Sequence, residues 1–248
     1  MADKQEALQR AEAGNQRGLI THAVLVGLTP LIPVPVVDDL AQGYFRRRLV
    51  RHLAAANGRS LSASELDALT RERAGGCLRG CLVTVLVYPL KAIFRKVFYF
   101  LEWKRAADLT SRTYHYGYLV NYAMRGRGDD PPLLDVRSAS DVNAAIQAVC
   151  REAPIKPVEG AIGGTFRQSK RVLRAAAGLL GQSLRRLTGR ARPEQVADAI
   201  ETVEPQEQRE IEPVVTRLQK SIAAVPDEHF RLLRARLDAR LGLPPDRA

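Results

Sequence analysis

The chain has 248 residues, 46% of them hydrophobic, with 38 Lys and Arg against 27 Asp and Glu, a formal net charge of +11 and a pI near 10.0. That apolar share is ample for a core of one large or two modest domains and excludes an intrinsically disordered chain. The positive charge implies an anionic partner, nucleic acid or the inner leaflet of a bacterial membrane, and composition does not choose between them.

Helical periodicity recurs in nearly every segment and strand alternation in almost none. The expected class is therefore all-α, a helical bundle with a hydrophobic, proline-interrupted hairpin segment and a second helical domain. A polar helix over about residues 2–13 comes first. It mixes both charge signs, and no Ala-x-Ala-like site closely follows the apolar run, which disfavours a cleaved signal peptide. Leu19 to Val37 then carries no formal charge, and Pro30, Pro33 and Pro35 break its second half. Such a run is long enough to enter a bilayer but too interrupted to cross it as one straight helix. A kinked insertion into lipid and a buried helix ending in an extended corner both remain open.

A helix from about Asp38 to Ala56 is stopped by Asn57-Gly58, and Ser62 with Glu65 forms a capping box for the next. A second greasy block runs from Cys81 through Leu101, and a helix is expected over about 106–124. Residues 125–132, Arg-Gly-Arg-Gly-Asp-Asp-Pro-Pro, are the clearest linker, so the expected domains are 1–128, membrane-associated, and 129–248, helical with a basic amphipathic helix. Further helices are expected near 138–151, 161–187, 194–203, 207–224 and 227–241, with Pro193 and Pro226 in first turns.

Charge is concentrated. Residues 43–59 hold five basic and no acidic side chains, 75–105 six basic against Glu102, and 166–192 eight basic and none acidic. Arg46, Arg47, Arg48 and Arg51 follow the first greasy run, and Arg95, Lys96, Lys104 and Arg105 flank the second. Arg171 and Arg174 sit on the basic amphipathic helix. These ten are the candidate binders of an anionic surface, each contributing about 1 kcal/mol next to charged lipid. Leu31, Ile32, Val34, Val36, Phe94, Val97, Phe98, Leu101 and Trp103 are the candidate membrane contacts, with Trp103 the kind of amphipathic aromatic found at a bilayer interface. Core packing and solvated helix faces are the competing readings.

Gly76, Cys77, Gly80, Cys81 and Thr84 form a small-residue row suited to close helix packing. Three cysteines, Cys77, Cys81 and Cys150, fit a reducing cytoplasm rather than a disulfide framework. Cys77 and Cys81 lack companion ligands at metal-binding spacing, no phosphate loop of the G-x-x-x-x-G-K type occurs, and the four histidines have no evident partner in sequence. The reading is non-enzymatic, with no catalytic residues, metal or cofactor.

Pro33, Pro35 and Asp38, within Ile32-Pro33-Val34-Pro35-x-x-Asp38, are a structural motif. Together with Gln42, Asn57-Gly58, Leu61 to Glu65, Ala107-Asp108-Leu109-Thr110 and Tyr116-Gly117-Tyr118, they make residues 30–126 resemble the YcjF-type family of bacterial membrane-associated helical domains, and more distantly EcsC-type proteins. The resemblance implies a helical hairpin bundle at the inner membrane without established chemistry. Val36 stands where the family usually has glycine, and residues 131–248 lie outside it.

The leading expectation is a non-enzymatic protein on the cytoplasmic face of a bacterial inner membrane, binding anionic lipid and, through its C-terminal helices, an unknown protein partner. A soluble nucleic-acid-binding protein using the same basic blocks is the alternative. A third possibility, an enzyme or lipid carrier, requires Asp38, Asp39 and His115 to meet in space.

Overall fold

The computed structural model describes residues 2–32, 37–71, 95–125, 130–153, 156–185, 187 and 192–244, with side chains placed for all of these except 2–12, 37–38 and 95–100. Among the described residues there is no strand, and the all-α expectation holds. The helices are α1 (Ala2–Leu28), α2 (Val37–Ala56), α3 (Ala63–Thr70), α4 (Arg95–Arg125), α5 (Leu133–Val136), α6 (Ala139–Glu152), α7 (Lys156–Gln168), α8 (Lys170–Leu184), α9 (Pro193–Ala223) and α10 (Asp227–Arg240). A 3-10 turn, Thr29–Leu31, closes α1 where Pro30 lacks the N–H that another helical turn would need.

Local signals account for several boundaries. Ser62 accepts from the Glu65 backbone N–H, and the Glu65 carboxylate accepts from the Ser62 backbone N–H at 2.8 Å, the expected capping box. Gly58 ends α2 with φ +66°, a left-handed position that costs glycine little. Three expectations are corrected. The polar start and the first part of the uncharged stretch, residues 19–28, form one 27-residue helix rather than two elements. The expected helix over 161–187 is two, α7 and α8, separated at Ser169. The expected pair over 194–224 is one 31-residue helix, α9, which keeps Pro205 and Pro213 in its interior. An interior proline removes one helical hydrogen bond, but Val196, Ile200, Ile211, Val214 and Leu218 are buried along the same stripe on both sides of Pro205, and that burial holds the helix together.

The first half of the uncharged stretch is core. Leu19, Ile20, Ala23, Val24, Leu25, Val26 and Leu28 are all buried, because α1 is sandwiched between α2, α4 and α9. Its antiparallel register on α4 can be read from side chains. Asn15 Nδ2 donates to Asn121 Oδ1 at 2.9 Å, Leu19 lies over Gly117, and Gly27 faces Thr110. Asn57, at the end of α2, also donates to Asn121 Oδ1 at 2.8 Å. The close approach needs both glycines, since a Cβ on Gly117 would come within 2.3 Å of Leu19 Cδ1 and one on Gly27 within 1.8 Å of Thr110 Oγ1.

α9 packs on α7 and α8 and also on α1 and α2. One hydrophobic cluster therefore runs through helices on both sides of residues 126–129, where the sequence places its domain boundary. No described helix is long and apolar enough to cross a membrane.

Gly27→Ala should lower stability by about 2 kcal/mol through overpacking against Thr110 and the Ala106 carbonyl. Gly43→Ala, on an exposed turn of α2 with open space around its Cβ, should raise stability by up to about 1 kcal/mol through helix propensity. Urea unfolding of the two variants beside the parent chain measures both.

Candidate functional site

The greasy candidates do not share one fate. Ile32 is 6% exposed and Trp103 7%, both inside the core, which corrects their assignment as membrane contacts. Ile32 follows the 3-10 turn and is folded inward with it, and Trp103 lies on the inner face of α4. Leu31 is half-buried and Leu101 is 50% exposed. Val34, Val36 and Phe94 lie outside the described residues, as do Pro33, Pro35 and the small-residue row from Gly76 to Thr84. Val97 and Phe98 belong to the first turns of α4, where side chains are not placed, and the same holds for Arg95, Lys96 and, on α2, Asp38.

The arginine run of α2 does not form one outward cluster. Successive helical residues point about 100° apart, and here each finds a different partner. The Arg46 guanidinium lies over the Tyr116 ring, 5.4 Å from its centroid. Arg47 pairs with Asp67 at 2.6 Å. Arg48 is ion-paired to buried Glu204. Arg51 alone of the four has no charged or hydrogen-bonded partner among the described residues.

A basic surface does form elsewhere. Leu101, Lys104 and Arg105 lie within about one turn of each other on the exposed side of α4. The α1–α4 register brings the Thr29–Leu31 turn beside this end of α4, and α8 packs on the same turn. Lys170 Nζ sits 6.0 Å from the centroid of the Trp103 ring, carrying exposed Arg171 and Arg174 to this end of the bundle. α8 contains no acidic residue.

The arrangement that sequence reasoning missed is a polar cleft of about 660 Å³ between α1, α2 and α9. Gly14, Arg17, Gly18, Thr21 and His22 line it from α1, Tyr44, Arg48, Arg51 and His52 from α2, and Glu201, Gln208 and Glu212 from α9. Arg48 Nη1 donates to the Tyr44 hydroxyl at 2.8 Å, which in turn donates to Glu201 at 3.1 Å. Gln208 Nε2 donates to Glu204 at 2.7 Å, and Arg17 pairs with Glu212. The His22 and His52 rings stack with centroids 5.1 Å apart, a contact that Gly18 permits, because a Cβ there would lie 1.9 Å from His52 Nε2. One signal was available. Glu204 and Glu207 interrupt the apolar stripe of α9 between Ile200 and Ile211, where a packing helix calls for hydrocarbon.

Glu207, next to this cleft, is fully buried, and neither carboxyl oxygen has a hydrogen bond among the described residues. Burial, with the nearby Glu204 charge, pushes its pKa up to about 9, so it is neutral at pH 7. Burial likewise lowers His22 to about 4, against the opposing hydrogen bond that its Nδ1 makes to the Gly18 carbonyl at 2.8 Å. His115 is also lowered to about 4 by burial. Its Nδ1–H donates to the Ser111 carbonyl at 2.7 Å, leaving Nε2 to accept from His229 Nε2 at 2.9 Å. His115 is thus engaged with α10, while Asp39 is exposed on α2, so the polar cluster that the third expectation required is not what His115 joins. Burial pushes the Cys150 thiol up to about 12, which leaves it a poor nucleophile. Among the described residues no group of three His, Cys, Asp or Glu is arranged to hold a metal ion.

No family model, curated protein or solved structure matches this chain.

Glu207→Gln keeps the shape and removes the ionisable group. A carboxyl whose pKa rises from 4.5 unfolded to about 9 folded stabilises fully below pH 4.5 and loses that contribution as pH rises toward 9. The Gln variant should therefore match the parent chain near pH 5 and gain on it by up to about 1 kcal/mol per pH unit above that. The neutral histidines act in the opposite direction. With His22 and His115 depressed from 6.5 to about 4, stability is complete above pH 6.5 and falls as pH drops toward 4. His22→Asn should shallow that acid limb by about one proton in chemical unfolding measured across pH 4–7.

Proposed function

We propose that this is a non-enzymatic, all-helical protein that docks peripherally on an anionic membrane surface through the end of the bundle formed by the start of α4, the Thr29–Leu31 turn and the start of α8. The observation that carries the reading is the exposed Leu101 beside Lys104 and Arg105, with Lys170, Arg171 and Arg174 brought to the same end of the bundle through the contact of Lys170 with Trp103. A half-exposed apolar side chain flanked by Lys104 and Arg105, at the end of the bundle that also carries the basic start of α8, suits a lipid interface, where the stems lie on hydrocarbon and the charges meet headgroups. Such cations supply about 1 kcal/mol each at an anionic surface, and several together hold a protein reversibly without a spanning helix.

The half-buried Leu31, in the Thr29–Leu31 turn, belongs to the same end of the bundle. This agrees with what the YcjF-type resemblance implies and with a location on the cytoplasmic face of a bacterial inner membrane. Exposed Val136 and Leu232, on helices that both pack on α6, support a protein contact in the C-terminal half.

In a flotation assay the protein should rise with phosphatidylglycerol vesicles at low salt and much less at high salt, and stay down with neutral vesicles. The quadruple variant K104E/R105E/K170E/R171E should stay down in every condition. Failure of the parent chain to rise with anionic vesicles at either salt overturns the reading. Tight duplex-DNA binding with a steep salt dependence in that case favours the nucleic-acid alternative.

A further inference from the structure

The cleft between α1, α2 and α9 shares no residue with the proposed docking surface, yet it is built like a binding site. Its volume, about 660 Å³, is in the range of small-molecule pockets, roughly 300–1,000 Å³. Its polar walls are held before any ligand arrives. Tyr44 is fixed between Arg48 and Glu201, Arg48 between Tyr44 and Glu204, and Arg17 is tied to Glu212. Preorganised donors of this kind spare a ligand the cost of ordering them.

Charge selects the ligand class. Of the three arginines lining the cleft, Arg17 and Arg48 are each paired with a glutamate, and the remaining lining carboxylate, Glu201, is held by the Tyr44 hydroxyl, whereas Arg51 has no acidic partner among the described residues. An incoming anion meets a guanidinium without having to displace a carboxylate, and a planar guanidinium binds phosphate or carboxylate oxygens in pairs. Gly14 leaves one part of the α1 wall without a side chain, and open space surrounds its Cβ position.

We propose that this cleft binds a small molecule through its phosphate or carboxylate group, with Arg51 as the anchoring cation and Tyr44, His22 and Gln208 facing the remainder.

The test is a titration of the full chain at fixed ionic strength with inorganic phosphate in one arm and acetate in the other, followed by NMR of the four histidine rings. Saturable shifts of His22 and His52 are expected, with His115 and His229, against α10 and away from the cleft, unmoved. The arm that saturates at the lower concentration identifies the anion. Arg51→Gln should raise the half-saturating concentration by about tenfold or more. Gly14→Phe, which projects a ring into open space rather than into the core, should abolish the response while leaving the melting temperature intact. Arg105→Gln, on the membrane-facing surface, should leave it unchanged. Absence of saturation in both arms, equal shifts at all four histidines, or an unaltered response in Arg51→Gln overturns the proposal. None of these results depends on whether the protein floats with vesicles.

Discussion

Everything in this bundle is arranged around the contact of α1 with α4. Two glycines, one on each helix, remove the side chains that would hold the axes apart, and Leu19 and Thr110 fill the space they leave. Dispersion falls steeply with distance, so a backbone that approaches this closely multiplies the contacts of every apolar side chain along the seam. Asn121 fastens one end of that seam by accepting from both Asn15 and Asn57, which ties three chain segments to one amide. With α1 held there, its other faces are presented to α2 and α9, and the position of the polar cleft follows.

The same contact decides how the uncharged stretch is used. Hydrophobicity without charge has one sequence signature whether the surrounding medium is lipid or protein, and residues 19–28 take the protein. At that end of the bundle, among the described residues, Leu31 is half-buried and Leu101 projects. Peripheral docking asks only for a modest apolar tip within a field of cations, a much smaller demand than the twenty or so apolar residues of a spanning helix.

Much of the fold was legible because it is local. The 3.6-residue period gave the class, and Ser62 with Glu65, Asn57-Gly58 and Pro193 marked boundaries where they were expected. The break expected between 203 and 207 does not occur, because the cost of Pro205 is local while the burial that outweighs it, along Ile200, Ile211 and Val214, is tertiary. The arginine run of α2 misled for a geometric reason. Adjacent in sequence, Arg46, Arg47 and Arg48 fan out around the helix onto Tyr116, Asp67 and Glu204, contacts separated by 70, 20 and 156 positions along the chain. The cleft was illegible except for the two glutamates in the α9 stripe, since Arg17, Arg51 and Glu212 become neighbours only after three distant helices meet.

The course of α9 has a bearing on how the protein comes into being. It covers α1 and α2 as well as α7 and α8, so the first two helices lack part of their shelter until synthesis has passed residue 223. A nascent chain leaving the ribosome carries Val24, Leu25 and Phe45 while most of its closing helix is still unmade. Long-range closure of this kind slows folding and leaves greasy surface exposed in the interval. A chaperone would have its greatest effect in that interval.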